Sequence, residues 1–108
     1  EREIRRGNRY DGILMDPPSY GRGPGGEVWK LEEQIYELLD LTAQVLSDDA
    51  FFFLLNSYTT GLPAAVMEYL GVTVGRGREG RVWASEIGLP VAASGFSLPC
   101  GSTAVWER

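Results

Sequence analysis

Histidine is missing from this 108-residue chain and cysteine occurs once, as Cys100. With no imidazole and no second thiol, an internal disulfide, a zinc site and histidine-based catalysis are excluded, and no other metal-ligand spacing stands out. Positive charge is also scarce. Ten Lys and Arg face fifteen Asp and Glu, a formal net charge of -5, whereas gripping nucleic acid by bulk electrostatics needs clustered cations. Seven of the nine arginines fall into two groups, Arg2, Arg5, Arg6 and Arg9, then Arg76, Arg78 and Arg81. Solvated charge on exposed turns accounts for both, and they could serve a nucleic acid only if they shared a side with the site described below. No apolar run approaches the roughly 18 residues of a membrane span. The opening Glu1-Arg2-Glu3-Ile4 resembles no signal peptide, so no membrane partner and a cytoplasmic location are expected.

What is present, 44% hydrophobic and 23% charged residues, is the composition of one ordinary globular domain spanning residues 1–108, without repeats or linkers. A domain this short buries only about two thirds of the surface its unfolded chain exposes, so marginal stability is expected.

Residues 1–9 alternate charge around Ile4 and end in Gly7-Asn8, the pattern of a helix tail closed by a glycine. Tyr10 to Met15 ends in the apolar run Ile13-Leu14-Met15, stopped by Asp16-Pro17-Pro18. Such a run predicts a short strand buried on both faces, as in a parallel sheet. Ser19 to Glu27, with four glycines and Pro24, reads as a loop. From Val28 to Leu46 the positions Val28, Leu31, Ile35, Leu38, Leu39, Thr42, Val45 and Leu46 recur at three and four, predicting an amphipathic helix of about five turns. Ala50 to Leu55 is a second buried strand leading to the polar exit Asn56-Ser57-Tyr58-Thr59-Thr60-Gly61. Pro63 suits the first turn of a short helix that continues through Leu70 to a cap at Gly71. Arg81–Ile87 and Thr103–Glu107 have strand character and predict an antiparallel pair joined by a long excursion. The fold class is therefore α/β, with two parallel strands placed side by side by a right-handed crossover. Ligands of such sheets sit beyond the carboxyl ends of the strands, which here carry Asp16-Pro17-Pro18-Ser19-Tyr20 and Asn56-Ser57-Tyr58.

Consecutive prolines fix φ at positions 17 and 18 and remove two N–H donors, so the carbonyls of Asp16 and Pro17 can face outward as acceptors. Asp16 adds a carboxylate and Tyr20 a face for stacking on a planar substrate. The same five residues are also compatible with a plain strand-to-loop turn.

The run Tyr10-Asp11-Gly12-Ile13-Leu14-Met15-Asp16-Pro17-Pro18-Ser19-Tyr20-Gly21 resembles the strand-four motif of class I S-adenosylmethionine-dependent methyltransferases, Asp/Asn-Pro-Pro followed closely by an aromatic. Extended through Gly26-Glu27-Val28-Trp29-Lys30-Leu31-Glu32, it resembles the branch related to large-subunit ribosomal RNA methyltransferases. The resemblance covers essentially the whole chain. It implies the C-terminal half of a Rossmann-like methyltransferase domain: strands four to seven with helices D and E, the last strand pair antiparallel. By that resemblance Asp16, Pro17, Pro18 and Tyr20 are the catalytic loop, Asp16 and Pro17 stand against S-adenosylmethionine, and Ser19, Tyr20, Asn56, Ser57 and Tyr58 meet the substrate. An RNA substrate is implied for the complete enzyme. The cofactor-binding N-terminal half, with its Gly-x-Gly loop and the acids after strands two and three, is implied to be absent, so the 108 residues alone should not methylate or bind the cofactor tightly. In the ribosomal branch, methylation of pyrimidine C5 uses a cysteine after strand five to attack C6. This chain has Asn56-Ser57-Tyr58 there, which favours a nitrogen acceptor, and Cys100 falls in the final hairpin, where a structural role is expected.

Two rival readings accompany this one. Strand, glycine-rich loop and helix is also the layout of phosphate-cradling loops, although Pro17, Pro18 and Pro24 remove donors such a loop needs. Alternatively the half-fold is a non-catalytic interaction module. A sheet lacking the neighbours of its first strand exposes a hydrophobic edge, so self-association across Ile13, Leu14 and Met15 is expected.

Overall fold

The computed structural model describes all 108 residues. Its elements are α1 (Arg2–Arg6), β1 (Gly12–Met15), β2 (Tyr20–Arg22), β3 (Val28–Lys30), α2 (Leu31–Ala43), β4 (Phe52–Ser57), α3 (Ala64–Gly75), β5 (Arg81–Pro90) and β6 (Ser97–Glu107). Four strands form one sheet in the order β1-β4-β6-β5, with β1 and β4 parallel and the other neighbours antiparallel. The α/β class, the adjacent parallel strands and the final antiparallel pair are as the sequence predicts.

Register divides the sheet into two unlike faces, because side chains alternate along a strand and directly paired residues share a side. Ile13, Phe53, Trp106 and Val82 form one row, and Met15, Leu55, Ala104 and Ala84 the next. Both rows pack under Leu31, Ile35 and Leu39 of α2 and Met67 and Val74 of α3. The opposite face carries Leu14, Leu54, Val105 and Trp83, with Phe52 in the adjoining row. No helix covers that face, and Leu14 is 66% exposed and Phe52 41%.

That uncovered face corrects the expectation of doubly buried strands. β1 has one neighbouring strand and one layer of helix, so only Ile13 and Met15 are shielded. Burial on both faces requires helices on both sides.

The long excursion expected between the last two strands is instead a short turn, because they stay paired as far as Pro90 and Ser97. Three further boundaries differ, each because a tertiary partner outcompetes local propensity. Val28–Lys30 is not the first turn of α2 but pairs with Tyr20–Arg22, so the stretch read as a loop is a small hairpin. At its other end α2 stops at Ala43. Tyr10 donates to the carbonyl of Val45 at 2.8 Å and accepts from Ser47 at 2.8 Å, drawing the chain into a parallel bridge instead of another helical turn. α3 passes through Gly71 to Gly75, since these glycines are contact points and not caps. A Cβ on Gly71 would stand 2.8 Å from Val82, and one on Gly75 2.6 Å from the Trp106 ring.

The predicted helix tail is α1, closed by Gly7 at φ 72°. Its Glu3 carboxylate accepts from the Tyr10 hydroxyl at 2.6 Å and the Asn8 amide at 2.7 Å, tying the helix to the approach of β1. The Tyr10 bond, with Asn8 and Arg6, holds Glu3 below the usual carboxylate range, and the same bond raises the Tyr10 phenol.

Candidate functional site

Parallel pairing of β1 with β4, Met15 opposite Leu55, brings the exits of both strands to one edge of the sheet. The first exit is Asp16–Ser19 and the second begins at Tyr58. Thr59 Oγ1 donates to Ser19 Oγ at 2.5 Å and joins the two loops directly. Thr59 is itself set by Ser57, whose hydroxyl accepts the Thr59 N–H at 3.2 Å.

The proline loop is fastened from behind at its second half only. The Trp29 indole N–H donates to the Pro18 carbonyl at 2.8 Å, and the Leu31 amide, at the start of α2, donates to the Ser19 carbonyl at 3.0 Å. No group of the chain donates to the carbonyls of Asp16 or Pro17. Those two acceptors and the exposed Asp16 carboxylate are thus left without a partner in the chain at the end of β1. Tyr20 and Tyr58, each 53% exposed, stand on the two loops. Both line a cavity of 390 Å³ that also touches Ser19, Lys30, Glu32, Thr59 and Thr60. Arg22 Nε donates to the Tyr20 hydroxyl at 3.0 Å, placing a cation beside that ring. Across Tyr58–Thr60 lies a second cavity of 670 Å³, bounded by Glu86, Cys100 and Ser102 at the base of the β5–β6 hairpin.

The structure therefore gathers Asp16, Pro17, Pro18, Ser19, Tyr20 and Tyr58 around one edge. Two other nominated residues fall differently. Ser57 is 1% exposed and its hydroxyl is committed to Thr59, so it shapes the loop and cannot meet a substrate. Asn56 is half-buried and pairs with Thr103 on the open sheet face. Sequence reasoning missed Trp29 and Thr59, because a tryptophan in an apolar-periodic run reads as core and a threonine in a polar exit carries no distinguishing pattern. Cys100 is half-buried in the hairpin, its thiol donating to the Ile87 carbonyl at 3.1 Å.

Several earlier alternatives close on this geometry. The glycine-rich segment offers no phosphate cradle, since Gly23 donates to the Glu27 carbonyl and Gly25 to its carboxylate, which already brings an anion to the turn. Arg78 binds the carbonyls of Leu46 and Ser47 and lies 5.7 Å from the Trp106 ring centroid. Arg81 pairs with Glu107. Both arginine groups sit toward the amino ends of the parallel strands, away from Tyr20.

Trp29 gives a direct test of the fastening. Trp29→Phe keeps an aromatic ring but removes the donor and part of the indole's volume, so it should cost about 1 kcal/mol for the bond and somewhat more for the lost packing. The expected result is a lowered urea midpoint together with faster amide exchange at Leu31; unchanged exchange there would sink the role given to this bond.

Neither a comparison with protein-family models nor one with curated proteins gives a match. Solved structures do. The S-adenosylmethionine-dependent methyltransferase from Agrobacterium tumefaciens superposes with a TM-score of 0.84 at 35% identity, over 98% of this chain and 36% of that one. This chain belongs to the S-adenosylmethionine-dependent methyltransferases. SMU.776, a methyltransferase by its description and complexed with SAH, shares the fold at a TM-score of 0.65 and 13% identity, over 97% of this chain and 28% of that one. The chain thus spans about a third of the length of these solved methyltransferases. The cofactor of the family is S-adenosylmethionine. The groove along β1 is lined by Tyr10, Gly12, Ile13, Leu14, Met15, Thr42 and Val45 and carries no charged group.

Proposed function

We propose that these 108 residues form the acceptor side of a methyl-transfer site that modifies a nitrogen of RNA, with large-subunit ribosomal RNA as the substrate class and the cytoplasm as its location. The observation that carries this reading is the open acceptor row of Asp16 and Pro17, held by bonds that engage only Pro18 and Ser19. A planar base stacks on Tyr20, with Tyr58 bounding the other loop, in the manner of enzymes that extract a base to reach it. Its exocyclic N–H groups donate to the Pro17 carbonyl and the Asp16 carboxylate, which turns the nitrogen lone pair toward the methyl donor. Holding reactants in that alignment can supply much of the barrier reduction. S-adenosylmethionine, when bound, supplies an electrophilic methyl group on a sulfonium. After transfer the nitrogen sheds a proton to the Asp16 carboxylate that accepts its N–H. Arg22 and Lys30 are the local cations for an RNA backbone, and the absence of a thiol from residues 56–58 separates this site from C5 chemistry.

The main cofactor-binding elements lie outside these 108 residues on this reading. The open edge of β1 and the face bearing Leu14, Phe52 and Trp83 are where the cofactor-binding half docks. Calorimetry tests it. The chain alone should show no binding tighter than on the order of 1 mM, while a chimera joining it to the unmatched part of the Agrobacterium protein should bind S-adenosylmethionine and methylate in-vitro-transcribed large-subunit ribosomal RNA. Micromolar binding by the chain alone would refute the division, and a cofactor-binding chimera that leaves RNA unmodified would refute the substrate.

A further inference from the structure

At the amino ends of the parallel strands, on the side of the sheet that the helices cover, a cavity of 460 Å³ gathers Arg76, Arg78 and Arg108 over Trp106. Three cations thus meet in a chain of net charge -5. Asp48 and Glu79 also line the cavity, yet neither forms an ion pair with any of the three. Asp48 lies 4.0 Å from Arg9 instead. Arg78 is the fixed member: half-buried, it donates to the carbonyls of Leu46 and Ser47, neutral acceptors that hold its geometry without offsetting its charge. Those bonds use only part of its donor set. Arg108 is anchored through its backbone, whose amide donates to the Phe51 carbonyl at 2.9 Å. Arg76 follows the last residue of α3, where a cation suits the negative end of the helix dipole. A second observation is independent of charge. Trp106 is 2% exposed, and its indole N–H is a buried donor without a partner in the chain. The indole nitrogen lies at the end of α3, 3.2 Å from where a Cβ on Gly75 would stand, one residue before Arg76. An unpaired buried donor is destabilising, and one that lines a cavity of cations calls for the same partner they do, an anion.

We infer that this cavity binds the phosphate group of a small phosphomonoester, with Arg76, Arg78 and Arg108 around its oxygens and the Trp106 N–H meeting one of them. Guanidinium forks match phosphate and carboxylate alike, but a carboxylate has two oxygens in one plane and is saturated by a single fork. Three guanidinium groups on separate segments suit a tetrahedral group. A phosphomonoester presents three free oxygens, whereas a diester within a nucleic-acid strand presents two. Position and charge disfavour the strand as well. The cavity lies at the far end of the parallel strands from Tyr20, and the chain's net charge repels a polyanion along its length, while a small anion meets only the local excess of cations. On the proposed function the cofactor-binding half takes the β1 edge and the opposite face of the sheet, so it does not compete for this cavity.

Titrating the full chain with inorganic phosphate at constant ionic strength, followed through the indole N–H signals by NMR, tests the inference. Trp29, Trp83 and Trp106 are the chain's tryptophans, so Trp29→Phe and Trp83→Phe assign the Trp106 signal by elimination. That signal should move with a dissociation constant on the order of 1 mM while the other two stay. The urea midpoint should rise with phosphate, because a ligand of the folded state stabilises it. Replacing the exposed Arg76 and Arg108 together by Ala should weaken binding by roughly 10-fold or more and leave the circular dichroism spectrum unchanged. Replacing Arg2 and Arg5 by Ala removes the same charge from α1 and should leave binding intact. A Trp106 signal that does not move at roughly 20 mM phosphate, or equal weakening in the two double variants, overturns the inference. So does acetate acting as strongly as phosphate, or an oligoribonucleotide without a terminal phosphate shifting Trp106 at lower concentration than phosphate does.

Discussion

Phe53→Ala should bring the chain to the edge of unfolding at physiological temperature. Phe53 has no solvent exposure and sits mid-sheet on β4, paired with Ile13 on one side and Trp106 on the other. Removing a buried phenyl ring costs about 3–5 kcal/mol. Total stability of a domain is about 5–15 kcal/mol, and one with an uncovered sheet face belongs at the low end. Neighbours cannot collapse into the gap without moving, because β4 is held by backbone bonds along both edges. Urea titration followed by far-ultraviolet circular dichroism measures the effect. Phe52→Ala is the matched control: the same residue type, one position away, 41% exposed on the open face, with an expected cost below about 1 kcal/mol. Equal losses for the two variants would contradict the two-faced description of the sheet.

In the chimera, Asp16→Ala should lower the methyl-transfer rate by about 100-fold or more, the scale of losing a positioned acid–base group. Asp16 is exposed and follows the last residue of β1, so its removal should leave the urea midpoint within about 0.5 kcal/mol of the parent. Asp16→Asn retains an acceptor oxygen but cannot take a proton, and should recover part of the loss. Calorimetric affinity for S-adenosylmethionine should fall far less than the rate. If all three proteins transfer methyl groups at the parent rate, Asp16 is a strand-end residue without a part in the reaction.

The elements that hydrophobic period determines were legible in the sequence. Leu31, Ile35 and Leu39 marked the buried face of α2, Phe53 and Leu55 marked β4, and Asp16-Pro17-Pro18 marked the end of β1. The family motif likewise pointed to the edge where the loops meet. What stayed hidden depends on partners distant in the chain. Nothing local to Val28-Trp29-Lys30 says that Tyr20–Arg22 will pair with it, nor that the Trp29 indole will reach the Pro18 carbonyl. Ser57 illustrates the limit inside the site: alternation along β4 turns it toward the helices, a fact set by register and invisible in a polar exit sequence. Gly71 read as a stop because helices commonly end at glycine, yet here its missing side chain is what lets α3 approach Val82.

The strand order has a consequence for how the protein is made. β6, the last of the four sheet strands in sequence, lies between β4 and β5, so the sheet has a vacancy at its centre until residues 97–107 have been made. Before then β1 and β4 can pair, but β5 has no neighbour to join and Phe53 only part of its packing. A stalled or shortened product ending before Ser97 would therefore be two separate pieces of sheet with their apolar rows exposed, a substrate for chaperones or proteases rather than a smaller version of the same fold.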